Sequence, residues 1–242
     1  MGGKHMAKKL YISPSDQTEN RYAVGNTNEA EQCRRIAAAL VEALERCGFQ
    51  AKTNFADGSG AMDARIAESN AWGADLHIPI HTNAFNGTVM GTRMFCHAFG
   101  GAGHEVCQAV FAELTPITPG ESDGIKEYPG LAEIRRAAAP TCYIEVGFHD
   151  NPTEAAWIIG NTAAVAEAIC RGLCNYYGVA YLPPETKPTG RYDTLEDIPG
   201  YAVDTVRKLV EQGHLKGTGT GLDLSLDMIR TLVILNRAGL FG

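Results

Sequence analysis

Apolar residues recur along this chain at two alternating spacings, and those spacings lay out its elements. Lys9-Leu10-Tyr11-Ile12-Ser13 is a short apolar run closed by Pro14, which reads as an opening strand. From Asn28 to Cys47 the apolar Ile36, Ala37, Leu40, Val41 and Leu44 fall at helical spacing, and Gly48 stops the helix. A second strand is predicted over 49–53, and a helix over 61–72 closed by Gly73. Asp75-Leu76-His77-Ile78-Pro79-Ile80-His81 is a third strand. Its alternation puts His77, Pro79 and His81 on one face and Leu76, Ile78 and Ile80 on the other. Pro79 has no N–H to donate, which predicts a bulge or a place near a sheet edge. Further strands are predicted over 91–98, 131–135 and 141–146, a helix over 103–114, and one long helix or two over 151–178. Strands alternating with helices indicate an α/β fold, a mostly parallel twisted sheet flanked by helices.

The pattern changes at Tyr181. Residues 181–191 are rich in Pro and polar side chains and read as a semi-rigid linker. They separate a first domain, 7–180, from a small C-terminal all-α module, 192–242. That module carries helical patterns over 201–213 and 225–238 around the glycine-rich turn Lys216–Gly221, with Ser225 placed to cap the second. About fifty residues bury little by themselves. The apolar Val206, Leu209, Val210, Met228, Ile229, Leu232 and Val233 exceed what two helices need internally, so the module is expected to bind another surface, associate with itself as a homo-oligomer, or dock on the first domain.

Composition removes several classes of function. With 242 residues, 45% hydrophobic and 20% charged, the chain is ordinary globular material. Its net charge of −7, with no run of Lys or Arg, offers no footprint for a phosphate backbone, so no nucleic-acid partner is expected. No stretch approaches the roughly 18 apolar residues of a membrane span. The N-terminus lacks the apolar core of a signal peptide, which predicts a cytoplasmic protein; Met1–His5 read as an appended leader before Met6. The seven cysteines are scattered without the clustering of a zinc site, the nearest pair being Cys170 and Cys174, one helical turn apart. They are expected to be reduced and buried.

Candidate chemistry lies at strand ends, where side chains converge on the crevice beside an α/β sheet. His81 ends its strand before Thr82-Asn83-Ala84, and Glu145 stands in the apolar run Cys142-Tyr143-Ile144-Glu145-Val146 ahead of Gly147-Phe148-His149-Asp150. An imidazole there can ligate a metal, and a desolvated carboxylate can act as a general base. Each also has an ordinary structural role: a strand-face histidine, a satisfied buried glutamate. Glu29, in the first turn of its helix, could do no more than complement the helix dipole. The long polar loop from Pro14 to Thr27 is long enough to be functional.

Taken in order, NEAEQCRRIAAAL, ADLHIPIHTNA and APTCYIEVGFHDNP resemble the zinc-dependent N-acetylmuramoyl-L-alanine amidases of bacteria and their phages, over roughly residues 8–179. The resemblance implies a peptidoglycan hydrolase that uses a metal-activated water to cut the amide between N-acetylmuramic acid and L-alanine. It implies Zn²⁺ held by Glu29 and His81, and Glu145 as the catalytic carboxylate. The family's first zinc-binding His belongs in a DPGHGG-like loop after the opening strand. This chain has Ser13-Pro14-Ser15-Asp16-Gln17 instead, so Asp16, or Gln17, stands where that ligand should be, with His77 and His149 in reserve. Asn83 and His149 are the candidates for contacting substrate. Two other readings stay open: a peptidoglycan-binding protein that has lost tight zinc binding, and a metallopeptidase cutting within the stem peptide. The C-terminal segment is similar to half of an S-layer-homology-like module and to some phage lysin tails, implying attachment to the wall. Together these features imply an endolysin that is cytoplasmic until lysis releases it to the cell wall.

Overall fold

In the computed structural model, which describes residues 7–184, 191–219 and 221–241, the chain divides after Pro184 into two units. Met1–His5 and residues 185–190 of the expected linker lie outside the described residues. The first unit runs β1 (Lys9–Pro14), α1 (Glu29–Arg46), β2 (Gln50–Thr53), α2 (Ala61–Trp72), β3 (Leu76–Asn83), β4 (Arg93–Cys96), α3 (Ala102–Leu114), β5 (Gly124–Glu127), α4 (Ala132–Arg136), β6 (Tyr143–Phe148) and α5 (Pro152–Tyr177). Its strands form one six-stranded sheet in the order β2-β1-β3-β6-β4-β5. Every pairing is parallel except β4 with β6.

Strand alternation decides what each face of the sheet meets. Leu10, Ile12, Leu76, Ile78, Ile80, Ile144 and Val146 enter a continuous apolar core with α1, α3 and α5. The opposite face presents Tyr11, Ser13, His77 and His81, and it is covered by polar contacts from α2 and α4. Tyr11 Oη donates to Glu68 at 2.8 Å, His77 Nδ1 lies 3.0 Å from Ser69 Oγ, and Glu133 of α4 reaches both histidines. One face is thus an ordinary core and the other a buried polar layer.

One expectation is corrected and two are narrowed. Residues 131–135 are not a strand: Leu131 is extended, and Ala132–Arg136 form a single helical turn and a half, too short to show a period. The real strand on that side, β5, has Ile125 as its one apolar residue and sits at the sheet edge, so alternation could not reveal it. Pro79 lies on an interior strand rather than near an edge. It is accommodated because the β3–β6 ladder is interrupted there, between the isolated bridge His77–Thr141 and the Ile80–Ile144 pair. The long helical stretch over 151–178 is two helices meeting at Asn161, whose φ of −126° is non-helical and whose Nδ2 donates to Trp157 O at 2.7 Å.

The second unit contains α6 (Val203–Glu211) and α7 (Leu226–Arg237), and an antiparallel bridge between Tyr192 and Leu224 joins the segments that precede them. Val206, Leu209, Ile229 and Val233 are buried; Val206, Ile229 and Val233 form this unit's own core with Tyr192, Ile198, Ala202 and Leu224. The supposed apolar excess is therefore largely consumed inside, because the segments flanking the helices complete the core. Met228, Ile234 and Leu240 stay exposed.

Candidate active site and metal centre

Parallel strands place their carboxyl ends together, and here β1, β3 and β6 bring His81 level with Glu145 in register. Asn28 caps α1, its side chain accepting from Glu31 N, which fixes Glu29 as the first helical residue. From there Glu29 Oε1 reaches His81 Nδ1 at 2.9 Å. The Pro14–Thr27 loop folds over the same point: Ser15 N donates to Ile80 O, and Gln17 Nε2 comes within 3.3 Å of His81 Nδ1. Asn20 Nδ2 binds both Gln17 Oε1 (2.9 Å) and Glu29 Oε2 (2.6 Å). An imidazole nitrogen, a carboxylate and an amide therefore converge.

The other ring nitrogen is held from behind. His81 Nε2 lies 3.3 Å from Glu133 Oε2, and the ring stacks on Tyr143 at 4.7 Å between centroids. Glu133 Oε1 in turn accepts from Ser13 Oγ and lies 3.3 Å from His77 Nε2. With a carboxylate at each ring nitrogen, His81 holds two protons; once Nδ1 releases its own, Glu133 keeps Nε2–H and leaves the Nδ1 lone pair towards Glu29 and Gln17, which is how metal-ligating histidines are ordinarily oriented. Sequence reasoning missed Glu133. Its only signal was an acidic residue between Leu131 and Ile134 in a segment with no readable period.

The electrostatics follow from burial against pairing. Burial works against charge on His81, but hydrogen bonds to Glu133 and Glu29 win and push it up to about 10. Burial raises Glu133 and Glu29, yet their histidine partners hold both below the ordinary carboxylate value. Glu145 is different. Burial, with the nearby Glu29 charge adding to it, pushes its carboxyl up to about 7 against the pull of His81 and Arg93, and its Oε2 is buried with no hydrogen-bond partner among the described residues. Gly147 permits this strand end to close: a Cβ there would stand 2.6 Å from the Glu154 carboxyl group, which accepts from Phe148 N and Gly91 N.

The remaining candidates are placed as follows. Asp16 does not join the convergence; its Oδ2 pairs with Nη2 of the buried Arg65 at 3.2 Å. Asp16 and Gln17 line an open pocket of about 350 Å³ with Met62, Arg65, His81 and Glu133. His77 is fully buried between Ser69 and Glu133, behind His81 and away from the point where Glu29 and Gln17 meet it. His149 is buried too, Nδ1 lying 3.0 Å from Thr82 Oγ1 and the ring stacking on Tyr22, so it buttresses β3 and has little surface for substrate. Asn83 lines a separate pocket with Phe85, Val89, Arg93 and Phe148.

The donors present fit a zinc ion: the oriented His81 nitrogen, the Glu29 carboxylate, the Gln17 amide oxygen once the amide turns from Asn20 to replace the nitrogen now facing His81, and a buried carboxylate oxygen of Glu145 on the next strand.

No curated protein matches this chain. Solved structures do. The catalytic domain of CwlV, an N-acetylmuramoyl-L-alanine amidase from Bacillus (Paenibacillus) polymyxa var. colistinus, superposes with a TM-score of 0.63 at 17% identity, covering 72% of this chain and 99% of that one. An N-acetylmuramoyl-L-alanine amidase from Clostridium difficile 630 gives 0.62 at 22% identity, covering 71% and 97%. The catalytic domain of the CD27L endolysin targeting Clostridia difficile gives 0.60 at 19%, covering 69% and 97%. At these identities the likeness is one of fold. The sequence profile of the N-acetylmuramoyl-L-alanine amidase family matches residues 11–175, and the chain belongs to that family.

Proposed function

We propose that this chain is a peptidoglycan hydrolase that cleaves the amide between N-acetylmuramic acid and L-alanine, with Glu145 as its general base and Glu29, His81 and Gln17 as its Zn²⁺ ligands. The observation that carries the reading is Glu145: a carboxyl group pushed up to about 7, with a buried and unpartnered oxygen, level with His81 across the β3–β6 pair. A group with that affinity for a proton is partly ionised at neutral pH, so it can take a proton from water and give it back. Zinc held there supplies Lewis acidity, lowering the pKa of water towards about 7 and polarising the scissile carbonyl. Glu145 accepts the water proton as the oxygen adds to the carbonyl carbon. It then delivers that proton to the alanine nitrogen as the carbon–nitrogen bond breaks. Glu133 holds the His81 ring, and Asn20 holds Gln17 and Glu29 together.

Glu145→Gln is expected to lower release of alanine amine ends from cell walls by at least about 10²-fold, with thermal stability retained. A folded variant of near-normal activity removes Glu145 from the role, and an inactive, metal-free wild type leaves the peptidoglycan-binding reading. Fragment masses separate the amidase cut from one within the stem peptide.

The second unit, with Met228, Ile234 and Leu240 exposed, serves to hold the wall or to self-associate. Removing residues 185–242 tests this: wall retention or solution mass should fall, and unchanged values for both would reject it.

A further inference from the structure

The cysteines that look scattered in sequence are not scattered in space. Cys47 caps the C-terminal end of α1, while Cys170 and Cys174 lie one turn apart on α5. Their three Sγ atoms all fall within 4.8 Å of one another, and Cys47 Sγ and Cys170 Sγ are 3.7 Å apart. Three thiolates sharing one zinc-sized ion at about 2.3 Å would stand roughly 3.8–4.0 Å apart, in tetrahedral or trigonal geometry. The sulfurs are thus already close to that spacing.

The surroundings add a second observation. The backbone N–H of Leu182 points at Cys47 Sγ at 3.3 Å, a donor of the kind that stabilises a metal-bound thiolate. Arg46 Nε binds Leu182 O at 2.8 Å, and Arg46 Nη2 binds Glu167 at 2.6 Å, bringing a cation to the rim of the cluster.

We propose that Cys47, Cys170 and Cys174 form a second metal site, independent of the catalytic one, that takes a single thiophilic cation of the zinc type. Binding replaces three S–H protons, released to solvent, with three metal–sulfur bonds and leaves one net negative charge near Arg46. Burial raises the Cys170 and Cys174 thiols, Cys174 to about 12, so the metal must displace protons that the free protein holds firmly. The consequence is mechanical. The ion ties α1 to α5 beneath Leu182, and so pins the last residues of the first unit before the chain leaves it.

Cobalt(II) distinguishes this site from the catalytic one, because only thiolate ligands give a sulfur-to-cobalt charge-transfer band. Titration of the reduced full-length protein should develop that band to saturation by two equivalents, and by one in His81→Ala, and Zn²⁺ should bleach it. The band should survive His81→Ala and fall at least tenfold in Cys170→Ala and Cys174→Ala. Absence of the band in the wild type, or its persistence in both cysteine variants, overturns the proposal. Should those variants not fold, X-ray absorption of the His81→Ala protein with one equivalent of Zn²⁺ decides: sulfur neighbours at about 2.3 Å are expected, and a first shell of nitrogen and oxygen alone rejects the site.

Discussion

Replacing Glu133 with Gln changes one atom of a side chain that touches no substrate, and it should still disable the metal centre. The carboxylate serves three donors: Ser13 Oγ and His77 Nε2 at Oε1, His81 Nε2 at Oε2. A glutamine has one accepting oxygen. Kept towards Ser13 and His77, where two donors wait, it turns its NH₂ to His81 Nε2. That nitrogen must then accept, so the ring proton moves to Nδ1, the atom facing Glu29 and Gln17. The tautomer is now wrong for a ligand. Loss of such an orienting carboxylate lowers metal affinity by about 10–100-fold, or roughly 1.4–2.7 kcal/mol. Chelator competition on folded wild-type and Glu133→Gln proteins measures this directly, and wall hydrolysis should recover substantially in excess Zn²⁺. A folded variant with zinc affinity within twofold of wild type would refute the assignment of Glu133 as the group that orients His81.

The loop offers a sharper contrast one residue apart. Gln17→Ala should weaken zinc binding by at least tenfold, whereas Asp16→Asn should leave it within about threefold, since Asp16 is engaged by Arg65; the opposite order in chelator competition would restore Asp16 as the ligand. Stability of the metal-stripped protein should also depend on pH in a defined direction. His81 is raised from 6.5 to about 10, so the stability from its pairing is fully present below pH 6.5 and is lost as pH rises through about 10. Glu29 and Glu133 are lowered from 4.5, so theirs is present above pH 4.5 and is lost as pH falls through their depressed values. Thermal melting should therefore be highest between those limits and decline towards pH 10, and an unchanging melting temperature above pH 6.5 would contradict the His81 pairing.

What could be read in the sequence was whatever depends on near neighbours. The alternation in residues 75–81 separated the two histidines from the three apolar residues, and the structure uses that separation to divide core from polar layer. Strand-end position and flanking residues singled out Glu29, His81 and Glu145. The different surroundings of Asp16 and Gln17 were not legible, because Asp16 is engaged by Arg65, reaching in from a helix 49 residues further on. Nor was the cysteine cluster, whose members are brought together across 123 residues by the packing of α1 on α5.

The polar face of β3 also shows why the two histidines differ in role. They sit four residues apart on the same side of one strand, and both bind Glu133, one to each oxygen. His77 is enclosed completely, with Ser69 at its far nitrogen, so it can only fix the carboxylate in place. His81 lies at the open end, beside the pocket, where its far nitrogen meets Glu29 and Gln17. The row Ser69–His77–Glu133–His81–Glu29 thus runs from the closed interior to the mouth of the site, each member limiting the freedom of the next. A buried polar row of this kind gives up the hydrophobic stabilisation that apolar residues would supply there, and unpaired members would be expensive. Its presence opposite an otherwise ordinary apolar core is most simply explained by the need to hold one imidazole in one tautomer and one orientation.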